Sequence, residues 1–128
     1  MKLQYNHSGI LVFESQLMRT TSTLIAGAGH LLLVDPNWLP DEVAFLSEQV
    51  ARLRGDRPLY VLFTHSDYDH IIGYPAFKEQ ARFVASCRLR DNEQAAAQTE
   101  AIAQFYDQYY LKPPWGNEYP SSLDVVLP

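Results

Sequence analysis

The order in which the hydrophobic period changes along the chain constrains its fold more than any other feature of the sequence. Three short β-prone runs separated by turn residues come first, at residues 9–14, 17–26 and 30–34. They predict an antiparallel meander. From Pro40 the apolar residues recur at helical spacing, and Gly55 stands where such a helix would end. Residues 59–63 then form a continuous apolar run of strand length, which predicts a buried central strand.

The second half of the chain mixes helical and extended patterns. We expect a short helix near Pro75, a small strand at residues 82–85, and a longer helix that Asp91 caps and that runs to about Leu111, ahead of Pro113. The last apolar residues, 123–127, look like the start of a further strand. Together these elements predict an α/β (α+β) chain with a mixed sheet and flanking helices, in a single domain over residues 1–128.

Composition narrows the functional classes. Hydrophobic residues make up 47% of the 128 residues and the formal net charge is -5, which fits a globular protein and argues against nucleic acid or anionic lipid as partner. Because Cys87 is the single cysteine, no intramolecular disulfide can form. The first residues lack a secretory signal, and no apolar run is long enough to span a membrane. We therefore expect a cytoplasmic protein that acts on a small-molecule substrate.

Four potential metal ligands fall within six residues just after the predicted central strand: His65, Asp67, Asp69 and His70. In an extended loop the first three would project to one side, whereas His70 would turn away towards a second ion. Imidazole and carboxylate groups are ligands that zinc, iron and manganese accept. The ends of central strands are also where α/β enzymes build their sites. The cluster therefore predicts a metal site.

Neighbouring residues also admit purely structural interpretations. Asp67 could cap a turn, and Asp35, which ends a predicted strand, could serve only the turn at Pro36. Gly73 could let the backbone turn tightly or pack closely. An aromatic cluster at helical spacing favours packing over a substrate pocket, although both remain open; it comprises Phe105, Tyr106, Tyr109 and Tyr110.

The segment from Thr64 to Gly73, THSDYDHIIG, resembles the signature of the metallo-beta-lactamase superfamily. That signature is usually written His-x-His-x-Asp-His, commonly preceded by Thr and followed by Gly. The preceding region is similar as well, because paired strands that end in an acidic turn at Asp35, then a helix and an apolar strand, lead into the motif. The resemblance covers residues 9–85 and implies the N-terminal, motif-bearing half of an αββα sandwich.

The resemblance implies a metal-dependent hydrolase that uses one or two ions, most often Zn²⁺, to activate water for attack on an ester, thioester, lactone, amide or phosphodiester. It implies that His65 and Asp67 bind the first ion and that Asp69 and His70 bind the second. Asp69 would also orient the attacking water, and Asp35 would support the site from behind its ligands. Because Asp67 replaces the family's second histidine, Fe or Mn are alternatives to zinc.

The chain also departs from the family pattern. Members take further ligands, typically a His, an Asp and another His, from the later half of the fold, and no histidine follows His70 here. Half of an αββα sandwich would also leave one face of its sheet uncovered, because the second sheet that packs on it would be absent. We therefore expect a missing C-terminal half, a homo-oligomer or a shortened descendant. The alternative function is a non-catalytic binding or structural module with a partial metal site, and the acidic balance disfavours a nuclease.

Overall fold

One mixed sheet carries the fold in the computed structural model, which describes residues 1–92, 94–109, 111–116, 118–120 and 122–128. The described residues form seven strands: β1 (Lys2–His7), β2 (Ile10–Glu14), β3 (Thr21–Ala26), β4 (Leu31–Val34), β5 (Leu59–Leu62), β6 (Ala81–Ser86) and β7 (Val125–Leu127). The helices are α1 (Pro40–Arg54), α2 (Tyr68–Ile71), a 3-10 helix (Tyr74–Phe77), α3 (Cys87–Arg90) and α4 (Ala95–Gln108). The strands lie side by side in chain order.

Strands β2, β3 and β4 form the antiparallel meander that the sequence predicts, and β1 extends it by one more antiparallel strand. Alternate residues of β2, β3 and β4 are buried on one face, as a sheet with a single core face requires. Strand β1 was not predicted, because all six of its residues are exposed and its pattern carries no buried stripe. It joins the sheet by backbone pairing with β2.

The pairing becomes parallel from β4 onwards, and this change positions the site. Helix α1 crosses from β4 to β5, which is the connection that parallel strands need. The carboxyl ends of β4 and β5 therefore meet at the same edge of the sheet. Asp35 directly follows β4, and His65 lies just beyond β5.

Helix α1 confirms the helical pattern that begins at Pro40. The proline occupies the first turn and two acidic residues follow it, where the helix dipole favours negative charge. Val43, Leu46 and Val50 are fully buried beneath the sheet. Gly55 ends the helix with a positive φ of 56°, a conformation that glycine adopts without a steric penalty.

Helix α4 departs from the sequence expectation at its start. Asp91 does not cap it, because α4 begins at Ala95 and the Asp91 carboxylate instead pairs with Arg90 at 2.7 Å. The preceding residues form the separate short helix α3, which a hydrophobic pattern of four residues cannot reveal. The helix ends at Gln108, three residues before the predicted end near Leu111.

The second face of the sheet is open. Leu32, Tyr60, Leu62 and Val84 project from it, are only half-buried, and line a groove of about 440 Å³ formed by strand residues. The core therefore sits on the α1 side alone. None of the helices in the described part of the chain combines the length and apolarity that a bilayer crossing requires.

Candidate metal centre

Two loops at the carboxyl ends of β4 and β5 bring three potential ligands together. One side-chain donor atom each from Asp35, His65 and His70 lie within 4.8 Å of one another. The rings of the two histidines are adjacent, with centroids 4.0 Å apart. Two residues separated by 30 positions along the chain, Asp35 and His65, meet because their strands are neighbours in the sheet.

Asp35 is the hub of this cluster. It is 4% exposed, and its Oδ1 accepts a hydrogen bond from the backbone N–H of Thr64 at 2.8 Å. Its Oδ2 accepts from the Thr64 hydroxyl at 2.6 Å and from His70 Nδ1 at 2.9 Å. The Asp35 backbone has a φ of 52°, a left-handed conformation that is uncommon outside glycine. Such conformations persist where the surroundings hold them, and here the Ser22 hydroxyl donates to the Asp35 carbonyl at 2.6 Å.

The hydrogen bonds leave the same nitrogen free on both histidines. Because the Thr64 hydroxyl donates to Asp35, it accepts from His65 Nδ1, over 2.8 Å. His70 likewise donates from Nδ1 to Asp35. With Nδ1 carrying the proton in each neutral ring, each Nε2 keeps its lone pair for a ligand. Metal-binding histidines are oriented in this way by a partner on the other ring nitrogen.

A carboxylate oxygen lies beside each of these free nitrogens. Asp67 Oδ2 is 3.5 Å from His65 Nε2, and Asp69 Oδ2 is 3.8 Å from His70 Nε2. Two ligands that share a tetrahedral zinc ion, each about 2.1 Å from it, lie about 3.4 Å apart. The donor types and their spacing therefore fit a metal ion.

The two aspartates are held differently. The Asp67 side chain is 70% exposed, and as the residue before α2 it makes no capping hydrogen bond. The Asp69 side chain is 17% exposed, and its Oδ2 accepts a hydrogen bond from the Thr20 hydroxyl at 2.5 Å. Asp69 is thus fixed in place, whereas Asp67 is anchored by little besides its approach to His65.

The electrostatics of the site favour positive charge. The hydrogen bond to Asp35 raises the pKa of His70, burial works against this, and the charges of Asp35, Asp69 and Asp67 reinforce it. Burial raises the pKa of the Tyr68 phenol, and the charges of Asp69 and Asp67 raise it further. Both shifts reflect carboxylates gathered in a partly buried space, an environment that attracts a cation.

Gly73 joins the two loops. Its N–H donates to the Asn37 carbonyl at 2.7 Å, and the Asn37 N–H donates to the His70 carbonyl at 3.2 Å. A Cβ at position 73 would lie 2.6 Å from the Pro36 carbonyl oxygen and 2.7 Å from that of Asn37. Of the two roles that the sequence left open, close packing is the one observed, since the φ of Gly73 is an ordinary -75°.

The extended loop expected for residues 65–70 was wrong in its second half. Residues Tyr68–Ile71 form the helical turn α2, which turns His70 back towards His65 instead of away from it. The sequence also gave no role to Thr64 or Thr20. Thr64 was visible as part of the motif, but the contact between Thr20 and Asp69 spans 49 residues and depends on how the β2–β3 loop folds.

Comparison with known proteins agrees with this arrangement. The sequence model of the metallo-beta-lactamase superfamily matches residues 16–126. No curated protein compared with the chain is a significant match. Similar solved structures include a HARLDQ-motif mutant of the metallo-beta-lactamase from Cronobacter sakazakii (Enterobacter sakazakii). It is 21% identical at a TM-score of 0.61, and the match covers 94% of this chain and 44% of that one.

Two further solved structures are similar. The metallo-beta-lactamase FIM-1 from Pseudomonas aeruginosa, in its mono-zinc form, is 17% identical at a TM-score of 0.56, over 76% of this chain and 46% of that one. A B3 metallo-beta-lactamase described as the first with an active-site glutamic acid is 26% identical at a TM-score of 0.52, and the match covers 68% of this chain and 33% of that one.

This chain spans less than half the length of each of these three structures. The fold they share with it confirms the expected mixed sheet with flanking helices, one part of a metallo-beta-lactamase-type fold. Because the superfamily's sequence model covers most of its residues, the chain belongs to the metallo-beta-lactamase superfamily.

Proposed function

We propose that this chain carries the metal-binding part of a metal-dependent hydrolase. The observation that carries the proposal is the pairing of His65 with Asp67 and of His70 with Asp69, each as a free imidazole nitrogen beside a carboxylate oxygen. This pairing supports the assignment of the first pair to one ion and of the second pair to another. Asp35 orients His70, and through Thr64 also His65, from behind the ligands.

Zinc is the ion we propose, with iron or manganese as alternatives. Two imidazoles suit zinc, whereas the carboxylates at positions 67 and 69 make the set harder and more negative, which manganese and iron also accept. A carboxylate in such a site is compatible with the fold, because one similar enzyme is described as having an active-site glutamic acid. A single bound ion is an option as well, since another similar enzyme has been solved in a mono-zinc form.

The proposed reaction is the attack of water on an ester, thioester, lactone, amide or phosphodiester. An ion bound there would lower the pKa of its water towards neutrality and would polarise the bond to be broken. The carboxylate of Asp69 accepts a hydrogen bond from the attacking water and so fixes its orientation. Thr20 keeps that carboxylate in place, because its hydroxyl occupies one lone pair of Oδ2 and leaves the others for water and metal.

The second candidate is a binding or structural module. The observation in its favour is that Thr64, Asp35 and His70 already satisfy one another in a partly buried hydrogen-bonded network. Such a network can stabilise the two loops with a weakly held ion or with none. This chain covers only 44% of the first similar structure, so the residues that would supply further metal ligands are not identified.

The metal content of the purified chain separates the two candidates. We expect one or two equivalents of zinc, iron or manganese per chain, lost on His65→Ala and on His70→Ala. The matched control is His7→Ala, which removes an exposed histidine from β1. If the purified chain takes up no stoichiometric metal even when zinc is offered, the hydrolase proposal fails. If metal binds in the wild type and in both site variants alike, the ligand assignment is wrong.

Hydrolysis is then measured on the zinc-loaded chain with one chromogenic substrate from each of the five bond classes. Turnover that disappears with His70→Ala and survives His7→Ala would support the hydrolase. Stoichiometric metal without turnover on any class would favour the binding module instead.

A further inference from the structure

The aromatic cluster singled out in the sequence is used for packing. Tyr106 is buried, stacks on Trp38 and donates its hydroxyl to the Trp38 carbonyl at 2.5 Å. Phe105 packs on the same Trp38 ring with centroids 4.9 Å apart, and Tyr109 packs against Phe105 at 4.7 Å. Tyr110 lies outside the described residues. Packing therefore accounts for the three members of the cluster that the structure describes.

A polar cavity of about 330 Å³ opens between the loop that follows β5 and the loop that follows β6. Because β5 and β6 are parallel neighbours, their carboxyl ends meet at the same edge of the sheet. The His65 ring borders this β6 cavity, and His65 also belongs to the candidate metal centre. A ligand in the β6 cavity would therefore lie directly beside that centre. The described residues that line the cavity are Thr64, His65, Ser66, Ser86, Arg88 and Leu89.

Arg88 supplies the positive charge of the β6 cavity. It is exposed, and among the described residues its side chain has neither an ion pair nor a hydrogen bond. Arg90 in the same helix differs, because its guanidinium pairs with the Asp91 carboxylate at 2.7 Å. In a chain with a formal net charge of -5, acidic partners outnumber the cations, yet none of those described pairs with Arg88. Its guanidinium is therefore available to an anion from outside the chain.

The other polar groups of the β6 cavity include two serine hydroxyls. Ser86, the residue before α3, makes no capping hydrogen bond with its side chain, so its hydroxyl can donate to a ligand. Ser66 adds a second hydroxyl, and none of the described lining residues is a carboxylic acid. Guanidinium and hydroxyl donors match the oxygens of a carboxylate or a phosphate, and a guanidinium can bind two of these oxygens at once. The cavity thus has the donor groups of an anion site.

Tyr119 connects the two rims of the β6 cavity. Its hydroxyl donates to the Leu89 carbonyl at 2.8 Å and is a hydrogen-bond partner of the Ser66 side chain. Leu89 is 2% exposed, so it anchors the α3 rim in the core. The spacing of the two loops is therefore set before a ligand arrives, and a preformed site loses less entropy on binding.

We propose that the β6 cavity binds an anionic oxygen group of the substrate, a carboxylate or a phosphate, and that Arg88 selects for this group. The inference rests on the proposed function, because an ion held by His65 would act on the bond next to the anionic group. It narrows the substrates to those that carry a negative charge close to the bond that water attacks. A neutral substrate of the same size would forgo the charge-assisted hydrogen bonds to Arg88 and would bind more weakly.

The first experiment examines the β6 cavity without metal. Heteronuclear NMR follows the backbone amide signals of residues 66, 86 and 88 while phosphate or acetate replaces chloride at constant ionic strength. The variants are Arg88→Gln and Arg88→Lys. Arg82→Gln is the matched control, because Arg82 is an exposed arginine near the other end of β6, and its loss changes the net charge equally. Circular dichroism establishes that each variant is folded.

We expect the three amide signals to shift saturably in the wild type and in Arg82→Gln with at least one of the two anions. They should not respond in Arg88→Gln, and they should respond partly in Arg88→Lys, which keeps the charge without the planar set of donors. A response to phosphate alone would assign a phosphate group, and a response to acetate would assign a carboxylate. No saturable shift in the wild type, or the same shift in Arg88→Gln, would overturn the anion site.

The second experiment connects the β6 cavity to the metal. Calorimetry with the zinc-loaded chain compares the monohydroxamates of succinic, glutaric and adipic acid with their neutral monoamides, which carry the same metal-binding group. If phosphate alone binds in the first experiment, phosphonates of the same lengths replace the acids. We expect the charged compound of the best-fitting length to bind about three- to tenfold more tightly than its amide. Arg88→Gln should abolish that gain, and Arg82→Gln should keep it.

The outcomes separate this proposal from that of the hydrolase. Equal affinity of the charged and neutral compounds at every length would overturn the anion subsite and leave the metal centre intact. An equal gain in the wild type and in Arg88→Gln would overturn the role of Arg88. Anion binding by the metal-free chain, combined with no uptake of zinc, would support the β6 cavity as an anion site and count against the proposed hydrolase.

Discussion

Asp35 shows how one side chain can organise a site without being part of its motif. Its carboxylate accepts three hydrogen bonds, two from Thr64 and one from His70, and it does so from a left-handed backbone conformation. The sequence placed Asp35 near the site through the family resemblance, yet a turn role next to Pro36 was equally compatible with the local pattern. The structure combines the two roles, because the turn is what points the carboxylate at the motif.

The substitution Asp35→Asn tests this role. Asparagine tolerates the positive φ, so the backbone should hold, but the amide cannot accept from Thr64 and His70 as a carboxylate does. We expect zinc affinity to fall by about 10–100-fold while the far-UV circular dichroism is unchanged. A competition titration with a chromophoric chelator measures the affinity. An unchanged affinity would mean that Asp35 serves the turn alone.

Gly73 is constrained by contact and not by its backbone angles. Because a Cβ there would lie 2.6–2.7 Å from two carbonyl oxygens and from a Val43 methyl, Gly73→Ala must push the two site loops apart. We expect a loss of about 1–3 kcal/mol in the free energy of unfolding, measured by urea denaturation. Gly29→Ala is the control, since a Cβ at Gly29 meets no atom within 4 Å and should change stability little. Equal effects of the two substitutions would refute the close-packing account.

At the scale of elements, the sequence predicted those helices and strands whose buried apolar residues recur at regular spacing. The meander of β2 to β4, helix α1 and strand β5 each bury an alternating or helical set of apolar residues, and all three lie where expected. Strand β5 is buried on one face only, however, whereas its continuous apolar run predicted a fully buried strand. Strand β1 escaped prediction because it is an exposed edge, and the start of α4 because Asp91 pairs with Arg90 instead of capping the helix. Pairing through the backbone, and the pairing of Asp91 with a neighbouring arginine, do not change the spacing of apolar residues, so a search for periodicity cannot detect them.

The candidate site follows the same logic. Its residue types and its place after β5 could be predicted from His65 to His70, because the motif is local. Of their partners, Asp35 was expected from the family resemblance, whereas Thr20 was not, because its contact with Asp69 depends on how the β2–β3 loop folds. Whether Asp67 and Asp69 bind metal stays a prediction for the metal measurements above.

The 3-10 helix and the following tail are joined by a charged contact that predicts a pH effect. Glu118 accepts hydrogen bonds from Lys78 at 3.0 Å and from the Tyr74 hydroxyl at 2.9 Å. The Lys78 hydrogen bond, and next the Tyr74 one, lower the pKa of Glu118 below its ordinary value of 4.5. A carboxyl whose pKa is lower in the folded state contributes stability above its ordinary pKa, and this contribution is lost as the pH falls through the folded value.

The wild type should therefore lose stability on acidification from pH 5 more steeply than Glu118→Gln, whose amide does not titrate. The effect is small, since the Glu118 side chain is 46% exposed and solvent screens the contact. Thermal unfolding at closely spaced pH values measures it. Glu79→Gln is the matched control, because Glu79 is an exposed carboxyl in the next turn of chain without an ion pair in the described residues. If the wild type and Glu118→Gln lost thermal stability equally as the pH falls below 5, the stabilising role of the Glu118 carboxylate would be contradicted.

At the scale of the whole molecule, the open sheet face is the feature that most needs an explanation. One face of the sheet packs on α1 in the buried core, whereas the other leaves Leu32, Tyr60, Leu62 and Val84 half-buried around a groove of about 440 Å³. Apolar surface of this kind is uncommon on an isolated soluble domain and favours contact with more protein. The chain also covers only 44% of the first similar structure, so that structure contains much that this chain does not.

We expect the 128-residue chain to self-associate through that face. Leu62→Thr removes apolar surface from the groove and introduces a β-branched side chain, which suits a strand, so the fold should persist. Sedimentation velocity should show species above the 14.6 kDa of one chain for the wild type, increasing with concentration, and fewer of them for Leu62→Thr. Leu3→Thr is the control, because Leu3 is also an exposed strand leucine, at 48%. It pairs with the buried residue Phe13, so its side chain lies on the core face of the sheet and not on the face with the groove. If the wild type stays at the mass of one chain at all concentrations, half-buried strand residues alone are insufficient to drive association. If Leu3→Thr dissociates the species as well as Leu62→Thr does, association uses another surface.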